Sequence, residues 1–404
     1  MFRPRAKKTP HPSSCPRGRA SDLPKLGFAA ALALLCAACI PPQHARLQLP
    51  VPAAASQPPP AVFDVRDAAA LDALVARIGK KRAIFIGEIH DVVSHHQNQL
   101  AVIKALYARN PELAIGVEFI QQPFQSVLDD YVAGNIDERE LLYKTEYYER
   151  WRVDYRMLRP IFEFAREKQI PLVALNVSSE IHNKVYARGL HELSLDERDK
   201  LPENIHPPGD DYRQRLQVIF DAHPEGNSFA NFVDGQVLWD EYMAETAANY
   251  LRNHPDSRMV ILAGLGHVLY RDGIPKALDR RLDEQQSSVL INGDQFGDYP
   301  GIADYLLTAS DVEALPPPGR LGVLLEDKAD GVFINGFSAD SAAREGGIEI
   351  GDQIVALGAS TVANMAEIKT VLFDKQPGEH MQVSIRRTGE DRQENLFLIE
   401  LLLR

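Results

Sequence analysis

Residues 83–99 decide the fold of the first part of the chain and read Ala-Ile-Phe-Ile-Gly-Glu-Ile-His-Asp-Val-Val-Ser-His-His-Gln-Asn-Gln. The segment opens with an apolar run that predicts a buried β-strand over 83–87. Polar and ionisable residues follow at once, and an amphipathic helix is then predicted over roughly 92–108. A buried strand that leads through a polar turn into a helix is the repeating unit of a parallel α/β sheet.

The same alternation recurs along the chain. Further apolar runs predict four more strands, at 113–118, 171–175, 259–263 and 288–292. Amphipathic spacing predicts helices at 67–78, 121–133, 154–168 and 228–252. Residues 184–226 are less regular and predict a lid or an additional helical layer. We therefore expect an α/β domain over 63–310, with a mainly parallel sheet and helices on both faces.

Polar residues stand where the predicted strands end: Glu88 with His90 and Asp91, then Glu118, Asn176 and His267. In an open parallel sheet the binding crevice lies at the carboxyl edge of the strands, so these residues are expected to converge on one site. Ionisable groups buried at neighbouring strand ends need partners or a ligand.

The helix after the first strand contributes more polar residues. Asp91, His95 and Gln99 follow a four-residue spacing and are expected to form one stripe beside the crevice. His96 shares a face with Leu100 and is expected to point towards the sheet. A core histidine with a backbone partner is its simpler interpretation.

The pattern Gly87-Glu88-x-His90-Asp91, with His95-His96 and Gln99, resembles the first motif of the ChaN family, which is associated with haem binding and iron uptake. Other motifs follow in the family's order: Glu118-Phe, Trp151, Tyr155, Pro160, Ala174-Leu-Asn176, Asp240, Met243-Ala244, Gly264-x-Gly-His267-Val and Gly273-Ile-Pro275. The resemblance covers about residues 65–295. It implies a haem-binding domain, and homodimers that hold haems between subunits.

Haem binding is the first of three functions considered. Haem needs an apolar slot, polar partners for its propionates and usually an axial ligand. Because no cysteine follows residue 39 and methionine is scarce, the iron ligand is expected to be His or Tyr, with Tyr270 as the candidate. The expected cofactor-binding residues are Glu88, His90, Asp91, His95, His96, Glu118, His267 and Tyr270.

Two alternatives remain open. The ChaN family belongs to a wider group with Tiki-type metal-dependent proteases and erythromycin esterases, so the resemblance also allows a metal-dependent hydrolase. In that case Glu88, His90, Glu118 and His267 bind a divalent ion such as zinc or manganese, or act as ligand and base. The third function is an inert scaffold that anchors the contacts of the C-terminal domain. Residue types alone do not separate these functions.

A linker is predicted at 311–319, where the sequence includes Leu315-Pro-Pro-Pro-Gly319. Beyond it, residues 320–404 resemble a bacterial PDZ domain, a small α+β fold. PDZ domains take an extended peptide as an added strand, and the amides of Leu321, Gly322 and Val323 are expected to receive the peptide's terminal carboxylate. A spacer domain with an empty groove is the alternative.

The chain begins with basic residues and an apolar run at 26–38 that is too short to span a bilayer as a helix. The residues before Cys39 resemble a bacterial lipobox, which implies acylation of that cysteine. We expect a signal peptide over 1–38 and a Pro/Ala-rich tether over 39–62. The expected location is the bacterial cell envelope, on a lipid anchor that faces the periplasm, at the outer membrane.

Composition excludes several classes of function. The chain carries a net charge of −12, and residues 1–38 contribute +6, so the remainder carries −18. An acidic protein repels phosphate backbones, which argues against a nucleic-acid partner. The three cysteines are Cys15, Cys36 and Cys39, so the folded part has no disulfide framework, thiolate nucleophile or cysteine-ligated metal.

Overall fold

The computed structural model describes residues 59–222, 228–282, 286–293, 296, 299–308, 314–389 and 393–404. These residues form two regions, each with its own sheet and apolar core. Cys39, the signal peptide and most of the predicted tether lie outside the described residues. Within the described part, no helix is long and apolar enough to cross a membrane.

The first region contains a seven-stranded sheet in the order β1-β7-β6-β2-β5-β3-β4, and every strand pair is parallel. The strands are β1 (Ala61–Asp64), β2 (Ala83–Glu88), β3 (Leu113–Gln121), β4 (Leu172–Asn176), β5 (Arg258–Gly264), β6 (Ser287–Asn292) and β7 (Tyr305–Thr308). The predicted parallel α/β fold is therefore confirmed. The outermost pair, β1 with β7, was not predicted, and β1 begins inside the segment expected to be tether.

Helices cover both faces of this sheet, and every residue of β2 and β3 is therefore buried. The helices are α1 (Ala68–Ile78), α2 (Val93–Arg109), α3 (Gln125–Ala133), α4 (Glu138–Lys144), α5 (Tyr147–Arg150), α6 (Arg159–Lys168), α7 (Ser179–Arg188), α8 (Leu195–Arg198), α9 (Asp210–Ala222), α10 (Phe229–Asn253) and α11 (Ile274–Arg281). The less regular stretch at 184–226 includes α8 and α9. A separate apolar cluster there joins α9 to α10 through Tyr212, Leu216 and Phe232.

The second region has the α+β arrangement expected beyond the linker. Its sheet runs in the order β13-β12-β10-β9-β8, and β11 pairs with β10. The strands are β8 (Val323–Lys328), β9 (Gly331–Phe337), β10 (Gln353–Leu357), β11 (Ser360–Thr361), β12 (His380–Thr388) and β13 (Glu394–Leu402). Two helices accompany them, α12 (Ala342–Glu345) and α13 (Met365–Leu372). Strand β8 lies at the edge of the sheet.

The two regions contact each other along α13, which packs against α4 and α5 of the first region. Phe373, just after α13, is buried and belongs to the apolar core of the first region. Its ring lies 6.2 Å from the ring of Tyr155, and the Arg159 guanidinium lies over it at 4.9 Å. A buried aromatic side chain thus joins the C-terminal domain to the first domain.

Candidate functional site

The turn after β2 brings three of the expected residues together. The Nδ1 atom of His90 lies 2.9 Å from Glu88 Oε1, and His96 Nδ1 lies 3.5 Å from Glu88 Oε2. Gln99 Nε2 donates to Glu88 Oε2 at 2.5 Å. His96 Nε2 bonds the His90 carbonyl at 2.9 Å, which confirms that His96 faces the sheet and has a backbone partner. All four side chains are buried.

A second buried group extends this cluster across the strand ends. Glu118 Oε2 accepts a hydrogen bond from the Gly264 amide at 2.6 Å, and Glu118 Oε1 lies 3.4 Å from His267 Nε2. His267 Nδ1 lies 2.6 Å from Asp240 Oδ1 on α10, and the Tyr212 hydroxyl donates to Asp240 Oδ2 at 2.7 Å. The carboxyl ends of β2, β3 and β5 therefore converge as the topology predicted.

The cluster favours the charged forms of His90, His267 and Glu88. Burial disfavours the charge on Glu88, but the charges of His96 and His90 and the hydrogen bond from His90 lower the pKa of Glu88 to about 2. Burial also disfavours charge on His90 and His267. The carboxylates of Glu88 and Glu118 nevertheless raise the pKa of His90, and those of Glu118 and Asp240 raise the pKa of His267.

A small crevice opens beside Glu118 and contains buried polar atoms without partners. Glu118 Oε1, Asn176 Oδ1 and Trp239 Nε1 have no hydrogen-bond partner among the described residues. The crevice has a volume of about 20 Å³, enough for about one water molecule and far below the roughly 300–1,000 Å³ of pockets that enclose drug-sized ligands. The crevice therefore suits a water or a very small polar group, not a haem ring.

Tyr270 lies outside that crevice but is linked to it. Its backbone adopts a left-handed conformation with φ 58°, and its hydroxyl is buried without a partner among the described residues. The Arg215 guanidinium lies over its ring at 4.5 Å. Arg215 is buried on α9, one turn after Tyr212, and its Nη1 also has no partner among the described residues. Contacts thus run from His267 through Asp240 and Tyr212 to this pair.

Arg215 forms an ion pair with Asp272 through Nη2, so the Tyr270 hydroxyl and Arg215 Nη1 are the two atoms of this pair that lack a partner among the described residues. Buried donors and acceptors are nearly always satisfied in proteins, so such atoms mark places for a ligand or water. Burial raises the pKa of the Tyr270 phenol, and the nearby Arg215 charge opposes that effect.

Two residues of the expected helical stripe behave differently from the prediction. The expected alignment of Asp91 with His95 and Gln99 is wrong, because α2 begins only at Val93 and Asp91 precedes it. Asp91 is exposed. Gln99 does not lie beside the cluster but inside it, on Glu88. His95 Nδ1 accepts a hydrogen bond from the Ile89 amide at 2.9 Å and so holds the turn before the helix.

Sequence reasoning named no site role for several residues of the cluster. These are Gln99, Trp151, Arg215, Tyr212 and Asp240. Gln99, Asp240 and Trp151 belong to the motifs that resemble the ChaN family, and that resemblance was the available signal. No sequence signal marks Arg215 or Tyr212, since they reach the site only through the packing of α9. Among the described residues, no group of three or more His, Cys, Asp or Glu side chains is arranged to hold a metal ion.

The C-terminal region has a groove where peptide binding was expected. Leu321 is buried, Gly322 has a φ of 75° that favours glycine, and Val323 starts the edge strand β8. The groove lies between β8 and α13 and has a volume of about 810 Å³. Its lining includes Leu321, Gly322 and Val323, so the three residues lie together at one groove.

Fold and site together define the class: an α/β protein with a buried polar cluster at the carboxyl edge of a parallel sheet, joined to a peptide-groove domain. The family described as "Haem-binding uptake, Tiki superfamily, ChaN" matches residues 74–278, about half of the chain. The chain belongs to this family. A PDZ domain matches residues 319–398, which identifies the second region as a PDZ domain.

Several solved structures are similar to parts of the chain. ChaN of Campylobacter jejuni with cofacial haem has 17% identity and a TM-score of 0.47, over 58% of this chain and 90% of that one. An erythromycin esterase mutant in its open conformation has 14% identity and a TM-score of 0.36, over 56% and 73%. A peptide-bound PDZ domain of a carboxy-terminal protease from Vibrio cholerae has 17% identity and a TM-score of 0.18, over 22% and 96%. None of these similarities is close enough to assign a function, and no curated protein matches the chain significantly.

Proposed function

We propose that the first domain binds haem, with Tyr270 as the iron ligand and Arg215 as a cationic partner. One observation carries the proposal: the Tyr270 hydroxyl and Arg215 Nη1 are both buried, adjacent and without partners among the described residues. A bound haem supplies ferric iron, for which phenolate oxygen is a known axial ligand, and anionic propionates, which a guanidinium binds. Membership of the haem-binding family supports the same conclusion.

The residues present fit haem at Tyr270 better than at His96. Both ring nitrogens of His96 are engaged, by the His90 carbonyl and by Glu88 and Gln99. The crevice at Glu118 is too small for a macrocycle. We therefore assign to the buried cluster the task of holding the loop that carries Tyr270, through His267 and Asp240.

A haem titration of the purified full chain tests the proposal. We expect a saturable change in the Soret band at one haem per chain. A weak, non-saturating spectral change, with a stoichiometric divalent ion found by metal analysis, would contradict it.

A hydrolase is the second candidate, and the crevice favours it. The space for about one water lies against Glu118 Oε1, which has no hydrogen-bond partner among the described residues, while Asp240 orients His267. His267, whose pKa is raised, lies 3.4 Å from the same Glu118 oxygen, and a carboxylate beside a water with a histidine behind it suits general acid–base chemistry. Ester hydrolysis by the purified chain that disappears in the Asp240→Asn variant supports this activity, and equal rates in both proteins exclude it.

We propose further that the chain is exported and anchored by a lipid on Cys39 to the cell envelope, facing the periplasm at the outer membrane. The basic start, the short apolar run and Ala37-Ala38-Cys39 support this, and all of them lie outside the described residues. Cys39→Ala should abolish labelling by a fatty-acid analogue, whereas Cys36→Ala should leave it intact. Persistent labelling of Cys39→Ala would refute the anchor.

We propose finally that the PDZ domain receives the C-terminus of a peptide or protein. Three features support this role: the edge position of β8, the glycine conformation at Gly322 and the open groove beside α13. An added peptide strand on β8 fills the free edge of the sheet.

A further inference from the structure

The groove of the PDZ domain is not made by that domain alone. One of its walls comes from the first domain, through Tyr148, Arg152, Asp154 and Arg156. These residues belong to α5 and the segment that follows it, against which α13 packs. A peptide in this groove contacts both domains.

Three positive side chains line this composite groove without a carboxylate partner among the described residues: Arg152, Arg320 and Lys369. Arg152, from the first domain, makes only a long bond from Nε to the Glu149 carbonyl, at 3.4 Å. Lys369 lies on α13 and lines the groove. By contrast, Arg156 is neutralised by Asp154 at 2.7 Å, and Arg404 lies 3.6 Å from Asp340.

Two of these cations, Arg152 and Lys369, act on each other. Partial burial and the nearby charge of Arg152 lower the pKa of Lys369. Arg152 is also one of the few non-glycine residues with positive φ, at 68°. Such backbone conformations persist only where the surroundings enforce them, and they cluster at binding sites. The fold therefore holds two like charges together beside a peptide groove.

We infer that the groove selects peptides with an acidic side chain, which Arg152 of the first domain and Lys369 of the PDZ domain bind together. This inference rests on the proposed peptide binding. A carboxylate between the two cations removes their repulsion and gains a charge-assisted hydrogen bond from each.

The geometry also places the acidic residue along the peptide. The Gly319 amide donates to the Lys375 carbonyl at 2.8 Å, so the end of α13 lies beside the loop that receives the terminal carboxylate. Lys369 lies about one turn earlier on that helix. The acidic residue therefore precedes the terminal residue of the peptide, and the terminal residue itself is apolar because Ile368 and Leu372 line the groove.

Fluorescence anisotropy with labelled peptides and the purified full chain tests this inference. The peptides end in an apolar residue, and each position before it carries Glu in one peptide and Gln in its pair. At one position we expect Glu to bind roughly fivefold tighter than Gln, the size of a solvent-exposed ion pair. Arg152→Gln and Lys369→Gln should each reduce that preference, and Arg152→Lys should retain it. Lys80→Gln, an exposed lysine on a distant turn, is the control for net charge and should change nothing.

The possible outcomes separate the inference from the function on which it rests. If no peptide with a free C-terminus binds, peptide binding itself fails and the inference with it. If peptides bind but Glu and Gln are equal at every position, or if Arg152→Gln keeps the full preference, peptide binding stands and the composite acidic site is wrong.

Discussion

At the scale of single residues, buried histidines in different surroundings have opposite effects on stability. His90 and His267 face carboxylates, and their raised pKa means that they stabilise the fold at low pH and lose that contribution as pH rises. His182 is equally buried, between the rings of Tyr186 and Trp239. Its burial lowers its pKa from 6.5 to about 4.

His182 should therefore destabilise the protein in acid. The unfolded chain binds a proton near pH 6.5 that the folded chain refuses until about pH 4, so stability falls as pH drops through this window. Replacing His182 with Phe should remove about 3 kcal/mol of that loss. Denaturant titrations between pH 6.5 and pH 4 measure this loss of stability. Tryptophan fluorescence reports the unfolding, since both tryptophans lie in the first domain. His191→Phe, at an exposed position, should leave the loss unchanged; equal acid sensitivity of His182→Phe and the wild type would contradict the prediction.

The strand-end residues of the site were predictable, and their helix-borne partners were not. Parallel topology alone requires Glu88, Glu118 and His267 to meet at one edge. Gln99 and Arg215 reach the site from helices, and their orientation depends on where each helix begins and how it packs. The wrong alignment of Asp91 has the same origin. Asp91 lies two residues before the start of α2, so it does not follow the spacing of the helix.

At the scale of elements, the turn between β5 and α11 positions Tyr270. Gly273 closes this turn with a φ of 63° and a ψ of −127°. A Cβ atom there would lie 2.5 Å from the His267 carbonyl oxygen and 3.0 Å from Asp240 Oδ1. Only glycine fits, so the bond between His267 and Asp240 depends on this position.

Gly273→Ala should therefore disturb both the fold and the site. We expect a loss of about 3 kcal/mol in the free energy of unfolding, because backbone strain and a clash with a backbone atom add together. Gly134→Ala is the matched control: its φ of 80° is also left-handed, but the nearest atom to an added Cβ is the end of Arg166, 3.7 Å away. The control should lose only about 1 kcal/mol. Equal losses in the two variants, measured by urea unfolding, would show that the contact at His267 does not matter.

The inner strands were predictable because strands buried on both faces are continuous apolar runs. The outer pair was not. Strand β1 has four residues after a proline-rich stretch, and its partner β7 lies more than two hundred residues further along the chain. Nothing in the local pattern of either segment indicates the other, and the pairing appears only in three dimensions.

At the scale of the whole molecule, the order of the domains could be predicted but their contact could not. Phe373 follows a helix of the PDZ domain and has the pattern of a core residue of that domain. It lies instead against Tyr155 and Arg159 of the first domain. Its neighbour Asp374 lies 3.9 Å from Arg139, also of the first domain. The composite peptide groove exists only while this contact holds.

Phe373→Ala should separate the domains without unfolding either one. Losing a buried aromatic side chain costs about 3 kcal/mol, and here the loss falls on the contact between domains. We expect faster protease cleavage between the domains and two thermal transitions in place of one. Phe397→Ala, which removes a half-exposed ring from β13, is the control and should leave cleavage unchanged. Unaltered cleavage of Phe373→Ala would indicate that this contact does not join the domains.

If Tyr270 holds the iron of a bound haem, replacing it will change haem binding and replacing another tyrosine will not. Haem titrations of Tyr270→Phe should show a shifted Soret band and an affinity lower by roughly tenfold to a hundredfold, because the phenolate ligand is lost. Tyr143→Phe removes the hydroxyl of an exposed tyrosine and should match the wild type. A Tyr270→Phe protein that binds haem with the wild-type spectrum and affinity would contradict the account.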